Sequence, residues 1–371
     1  ENARSGSWCY CPAALGIRSC RGKANVINLF SDTQTRPTAA MREAMARAEV
    51  GDEQRGLDPA VTALCHRVAH LLGKEEAVFL PSGAMCNIIA TLVHCRPGDE
   101  IVADAGAHIV SFEAAGAAAL AGAAVRTIQG DRGIFTADDL AAALRPANRY
   151  SPRSRMVVIE QTANMAGGTI WPLPVVEGVA ALARQHGLAV HMDGARLLNA
   201  VVESGIPATD FAAACDSCWI DLSKGLGCPV GAVLAGSADF IAQAWTWKQR
   251  LGGAMRQAGI LAAAGLYALD HHVARLAEDH ANARRLSELL AGATGLRQDD
   301  AEVATNMVFF DISALGVPAS RFAELLAARG VEIVPVGPSR LRAVTHLDVG
   351  VAEIEVAAAA IRSLAAELAG G

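Results

Sequence analysis

From Val26 onward, short β-branched runs alternate with longer segments whose apolar residues recur at helical spacing, a pattern that restricts the chain to an α/β fold on a mainly parallel sheet. Asp58-Pro59 offers an N-cap and a first-turn proline to the segment VTALCHRVAHLL, and Gly73 stops that helix. The strand candidates are EAVFLP, EIVADA, AAVRTI, RMVVIE, LAVHMD, SCWIDL and GAVLAG, enough for one seven-stranded sheet, with TADDLAAAL and VVEGVAALARQHG among the helices between them. A long helical stretch from Gly253 through about Leu290 follows. NMVFFDI, a helix around RFAELLAARG, EIVPV, RLRAVTHLD and a terminal Ala-rich helix then suggest a smaller C-terminal α/β layer. The expected organisation is a large domain over residues 25–270 and a small C-terminal domain over 271–371. Residues 1–24 have no helical or strand period and carry three cysteines and scattered arginines, so they read as an extension outside the catalytic fold.

The 371 residues are 52% hydrophobic and 19% charged, which suits a packed enzyme, and at 5% aromatic the core must be filled by Ala, Val and Leu. A formal net charge of -6 argues against nucleic acid, whose binders cluster Lys and Arg on phosphates, and points to a small-molecule substrate. Apolar stretches such as Ala114 to Val125 fall short of the roughly 18 residues of a membrane span, so no membrane segment is expected. Nine cysteines are too dilute for a disulfide scaffold and cannot all pair, which suggests a reducing cytoplasm. No metal site is expected. Cys215 and Cys218 lack a second pair at zinc-ribbon spacing, and His66 and His70 lack the glutamate of H-E-x-x-H. The glycine signatures of dinucleotide and P-loop sites and the G-x-S-x-G elbow do not occur.

The most informative segment is D-L-S-K-G-L-G-C-P-V-G, Asp221 to Gly231, where Lys224 follows an apolar run and precedes a glycine-rich turn. Apolar surroundings disfavour an ammonium, which suits an amine that must form a Schiff base with an aldehyde cofactor; Ser223 and the backbone of Gly225 would help hold that cofactor. A surface lysine in a loop is the alternative from position alone. Upstream, L-A-V-H-M-D-G-A-R is a strand ending in Asp193, followed three residues later by Arg196. Ligands in such sheets sit beyond the carboxyl ends of strands, where an acid can pair with a protonated ring nitrogen and an arginine can grip a carboxylate bidentately. A helix N-cap explains Asp193 taken alone equally well. In F-L-P-S-G-A-M-C-N a strand runs into a helix start, which makes Ser82, Gly83 and Ala84 phosphate candidates. His108, after the EIVADA strand, is placed to stack on a ring and act as acid or base.

Together these segments resemble the threonine aldolases, aspartate-aminotransferase-like (fold type I) pyridoxal-phosphate enzymes of the β-eliminating lyase group. Further motifs carry the likeness from Asn28 onward: N-L-F-S-D-T-Q-T-R-P, G-D-E-Q-R-G-L-D-P, G-G-A-M-R-Q-A-G-I-L-A-A-A-G at Gly252 and R-A-V-T-H-L-D-V at Arg342. The resemblance implies retro-aldol cleavage of L-β-hydroxy-α-amino acids such as threonine, allo-threonine or phenylserine to glycine and an aldehyde. It further implies pyridoxal 5'-phosphate anchored by Lys224, a pyridinium partner at Asp193, phosphate contacts from Ser82, Gly83 and Ala84, and stacking by His108. The substrate carboxylate would meet Ser31, Arg196 and Arg342. Arg256 is similar to a family arginine that reaches a neighbouring subunit's cofactor site, which implies a homodimer or a homotetramer built as a dimer of dimers, with active sites at the interface.

The sequence departs from the family at several positions. The segment usually reading E-N-T-H-N is E-Q-T-A-N here, so Ala163 replaces a histidine near the substrate β-hydroxyl, and the space beside Cβ is expected to be larger. His108, or a water it holds, would then serve as base. Arg55 stands for a tyrosine, Ala84 for a threonine and Gln249 for a lysine. The alternatives are another pyridoxal-phosphate lyase, racemase or aminotransferase, or an idle cofactor-binding homologue.

Overall fold

The computed structural model describes residues 26–299 and 303–370; the N-terminal segment set apart above lies outside them. Eight strands lead the chain: β1 (Ile27–Asn28), β2 (Glu76–Leu80), β3 (Asp99–Asp104), β4 (Ala124–Ile128), β5 (Arg153–Glu160), β6 (Ala189–Asp193), β7 (Ser217–Asp221) and β8 (Ala232–Gly236). The last seven form one sheet in the order β2-β8-β7-β6-β5-β3-β4, and each coincides with one of the seven runs read as strands. Pairings from β3 through β7 are parallel, whereas β8 is antiparallel to both β2 and β7. The loop from β7 turns back on itself through Gly231, at φ 112°, and a side chain there would drive into the Phe79 ring.

Helices cover both faces. Helix Pro59–Leu72 starts on the Asp58 side chain, which accepts from the Val61 amide, and ends at Gly73 with φ 61°. The helical stretch expected from Gly253 to Leu290 is two helices, Gly259–His271 and Leu276–Leu290, interrupted where His272 turns inward and its Nδ1 meets the Leu226 carbonyl at 2.7 Å. Buried Cys215 and Cys218 are free thiols; burial pushes Cys215 up to about 12.

The C-terminal layer adds β9 (Arg297–Gln298), β10 (Met307–Asp311), β11 (Val331–Glu332), β12 (Val334–Pro335) and β13 (Arg340–Val344). β12-β13-β10-β9 is an antiparallel sheet, and β1 runs parallel to β11. EIVPV therefore splits between two sheets at Ile333, whose side chain enters the second core with Phe310, Phe322, Leu341, Ile354 and Ile361. Leu29 joins that same core, so the start of the described chain is tied to the C-terminal layer. Among the described residues no helix is long and apolar enough to cross a membrane.

Candidate active site

The parallel strands deliver their polar residues to one edge. Asp193 ends β6, Glu160 ends β5 directly beside it in register, Asp221 ends β7, and His108 follows β3. This is the carboxyl edge of the sheet, where loops leave the strands and ligands bind.

Lys224 sits in the loop between β7 and β8, largely covered, with Nζ 2.9 Å from Asp221 Oδ2. The other Asp221 oxygen accepts from the amide and hydroxyl of Ser223, both at 2.8 Å. The lysine thus faces a fixed carboxylate rather than the purely apolar surroundings expected, and Ser223 acts on that carboxylate. Nothing about Asp221 at the end of a strand had marked it out. A tight Asx turn before the lysine was the available signal.

Asp193 is buried, accepting from Asn87 Nδ2 at 2.8 Å and from the Ala195 amide at 3.1 Å. His108 Nδ1 lies 2.8 Å from Glu113 Oε1, and its ring sits 5.6 Å from that of Phe112. Burial works to lower the imidazole, but the hydrogen bond to Glu113 and the nearby Asp193 outweigh it and hold His108 above its usual value. Ligand-type atoms of His108, Glu113 and Asp193 lie within 4.8 Å of one another. Asn87 Nδ2 donates to one oxygen of each carboxylate, Glu113 Oε1 and Asp193 Oδ2.

Glu160 accepts from the Asn164 amide at 2.8 Å and from the His108 amide, so one carboxyl ties two site loops to the sheet. Burial, with Asp193 beside it, pushes it up to about 7. Between its ordinary 4.5 and that value the folded state binds the extra proton, so stability falls as pH rises through this window. His108, also raised, acts with the same sign. Glu160→Gln is expected to flatten the decline of Tm over that interval; an unchanged slope would mean that Glu160 titrates as an ordinary carboxyl.

Ser82 caps helix Gly83–His94 by accepting from the Met85 amide at 3.3 Å, and the first amides of a helix have no intrahelical acceptor. Gly83 is required at this turn: a Cβ would lie 2.3 Å from the Trp219 ring. Ala84 follows it in the first turn, exposed.

Arg196 does not present the free fork expected of it. Its Nε and Nη2 are held by Asp32 at 2.8 and 2.6 Å, leaving Nη1 toward Asn164 Oδ1 at 3.5 Å. Burial works to raise Asp32, but Arg196 overcomes it and holds the carboxyl well below the usual range. Arg342, on β13, donates Nη1 to the same Asn164 oxygen at 2.9 Å, while its buried Nε has no partner. Burial and the neighbouring Arg196 lower Arg342 to about 10. Ser31 lies beside Asp32 and accepts from the Thr33 amide at 3.2 Å. Arg256 stands apart, two-thirds exposed and 3.6 Å from Asp52.

Ala163 is buried, and its methyl faces the Gly133 turn: a Cβ on Gly133 would come within 2.8 Å of it. The Ala163 methyl is therefore hemmed in on the side of Gly133. Ala163→His should lower stability by about 1–3 kcal/mol through overpacking. Denaturant unfolding with a wild-type midpoint would instead mean open space.

The model of the family described as "Beta-eliminating lyase" matches residues 28–313. The chain is 43% identical over 337 residues to a protein of Escherichia coli K12 named "Low specificity L-threonine aldolase", covering 90% of this chain and 98% of that one. It superposes on the Leishmania major threonine aldolase structure with a TM-score of 0.79 at 22% identity, covering 91% of this chain and 99% of that one. A structure described as SPT with PLP matches with a TM-score of 0.70 at 18% identity, covering 92% and 88% of the two chains.

Proposed function

The chain belongs to the β-eliminating lyase family and is a lyase, and we propose on that footing that it cleaves L-β-hydroxy-α-amino acids, threonine and allo-threonine among them, to glycine and an aldehyde. Its cofactor is pyridoxal 5'-phosphate. The carrying observation is the convergence, at one sheet edge, of a carboxylate-paired lysine, a buried acid, a histidine–carboxylate pair and two arginines, one with an unpartnered buried donor.

The residues present fit that cofactor. Lys224 would anchor its aldehyde carbon, Asp193 would face the ring nitrogen, His108 would cover the ring, and Ser82 with the amides of Gly83 and Ala84 would take the phosphate. When bound, the cofactor supplies an electron-accepting ring for the pair released as the Cα–Cβ bond breaks. The rest is done by side chains. Arg342 Nε and the remaining edge of Arg196, with Ser31 nearby, hold the substrate carboxylate and so orient the bond to be broken. Asp32, by neutralising Arg196, keeps two adjacent guanidinium groups from expelling each other.

His108 Nδ1 is committed to Glu113, so Nε2 is the free nitrogen for taking the β-hydroxyl proton, directly or through a water. Glu113 stabilises the imidazolium that results. Arg256, exposed on a single chain, would complete the site of a neighbouring subunit in a homodimer or a dimer of dimers. A cytoplasmic location suits the buried free thiols.

The test is incubation with L-threonine, L-allo-threonine and β-phenylserine, measuring glycine and aldehyde. Equal amounts of both products are expected. Ammonia with a keto acid, or a requirement for 2-oxoglutarate, would replace the aldolase with an eliminating lyase or an aminotransferase.

A further inference from the structure

Behind Asp193 and Glu113 lies a polar chain that the proposed chemistry does not use. Asn87, fully buried on helix Gly83–His94, donates Nδ2 to Glu113 Oε1 at 2.6 Å and to Asp193 Oδ2 at 2.8 Å. Its Oδ1 receives Trp219 Nε1 at 2.8 Å and His191 Nε2 at 3.0 Å. All four hydrogen-bonding positions of the amide are filled. Indole N–H can only donate, so Trp219 determines which end of the amide is oxygen and turns both N–H groups to the carboxylates.

The hydrogen-bond chain continues behind His191. With Nε2–H facing Asn87, His191 Nδ1 accepts from the Ser217 hydroxyl at 2.8 Å, and Ser217 in turn accepts from His94 Nε2 at 3.0 Å. Only one set of tautomers satisfies the chain. Burial keeps both histidines neutral, lowering His191 to about 3 and His94 to about 4, so no charge from behind competes with the carboxylates in front.

We propose that Asn87 is a positioning residue which, oriented by Trp219 and the His191–Ser217–His94 chain, bridges Asp193, the acid that would pair with the cofactor's ring nitrogen, to Glu113, the carboxylate that orients His108. This rests on the cofactor reading above. Without the bridge, Glu113 Oε1 is left to His108 alone and Asp193 Oδ2 loses a donor. The groups that face His108 are Glu113, Asp193 and Lys224, with Glu160 on its backbone amide, and Asn87 touches the first two.

The experiment compares wild type, Asn87→Ala and Ser217→Ala as full chains. His108 is titrated by NMR without cofactor, its signal assigned by loss in His108→Gln, and pyridoxal-phosphate affinity is measured by absorbance. Asn87→Ala should raise the His108 midpoint by about one unit, the scale of one charge-assisted hydrogen bond, and weaken cofactor binding about tenfold. Ser217→Ala removes one small hydroxyl, lets His191 change tautomer and should move both readouts the same way by less. Wild-type midpoints and affinity in a folded Asn87→Ala protein would make the residue mere core packing and overturn the proposal. Should Asn87→Ala fail to fold, unchanged readouts in Ser217→Ala overturn it. Wild type that binds no cofactor overturns the cofactor reading instead, while the His108 titration still decides the role of Asn87.

Discussion

Replacing Lys224 by alanine should leave a folded protein that no longer releases glycine or aldehyde, with kcat reduced on the order of 10³-fold or more, the scale seen when one member of a catalytic unit is removed. The side chain contributes little to the core; its ammonium is held by Asp221 at 2.9 Å, and that carboxylate keeps two other donors from Ser223 when the lysine is gone. Unfolding midpoints should therefore stay close to wild type. Cofactor would still associate through Asp193, His108 and the helix start at Ser82, but borohydride reduction before denaturation, which should fix it to the wild-type chain as a secondary amine, would leave none attached to the variant. Retained product formation would move the anchor elsewhere.

Arg342→Leu is expected to separate substrate binding from everything else. Losing a charge-assisted pair of hydrogen bonds to the substrate carboxylate costs about 3 kcal/mol, on the order of a hundredfold in kcat/KM, carried largely by KM. Cofactor affinity should not move. Stability should hold or rise, because the change removes a buried guanidinium with an unpartnered Nε from beside Arg196. Arg342→Lys should fail to restore KM, since a single ammonium cannot reproduce the planar fork. If Arg342→Leu instead unfolds early and leaves KM unchanged, the arginine is a structural tie to Asn164 and the carboxylate site lies elsewhere.

These two side chains show different degrees of legibility. Lys224 could be singled out because an apolar strand, a lysine and a glycine-rich turn are consecutive in the chain. Arg342 stood out only through a family motif, since its partner Asn164 lies 178 residues away. The seven strands of the main sheet were readable for the same reason that Lys224 was: β-branched runs and helical periods are local signals. The breaks at His272 and Ile333 were not, because each is made by a distant partner, the Leu226 carbonyl in one case and two competing sheets in the other.

By itself the sequence determined the α/β class, the seven strands of the main sheet, the lysine, the acid that ends β6 and the arginine after it, all of which depend on spacing within a few residues. Only the tertiary structure decided how those groups are balanced. Asp32 claims the fork of Arg196, Glu113 orients His108, Asp221 faces Lys224, Asn87 joins two buried carboxylates, and the Gly133 turn closes on Ala163. Most of these join residues far apart in the chain, where the cost of burying a charge or a polar group must be met by whichever partner the fold brings near. No local pattern encodes that choice.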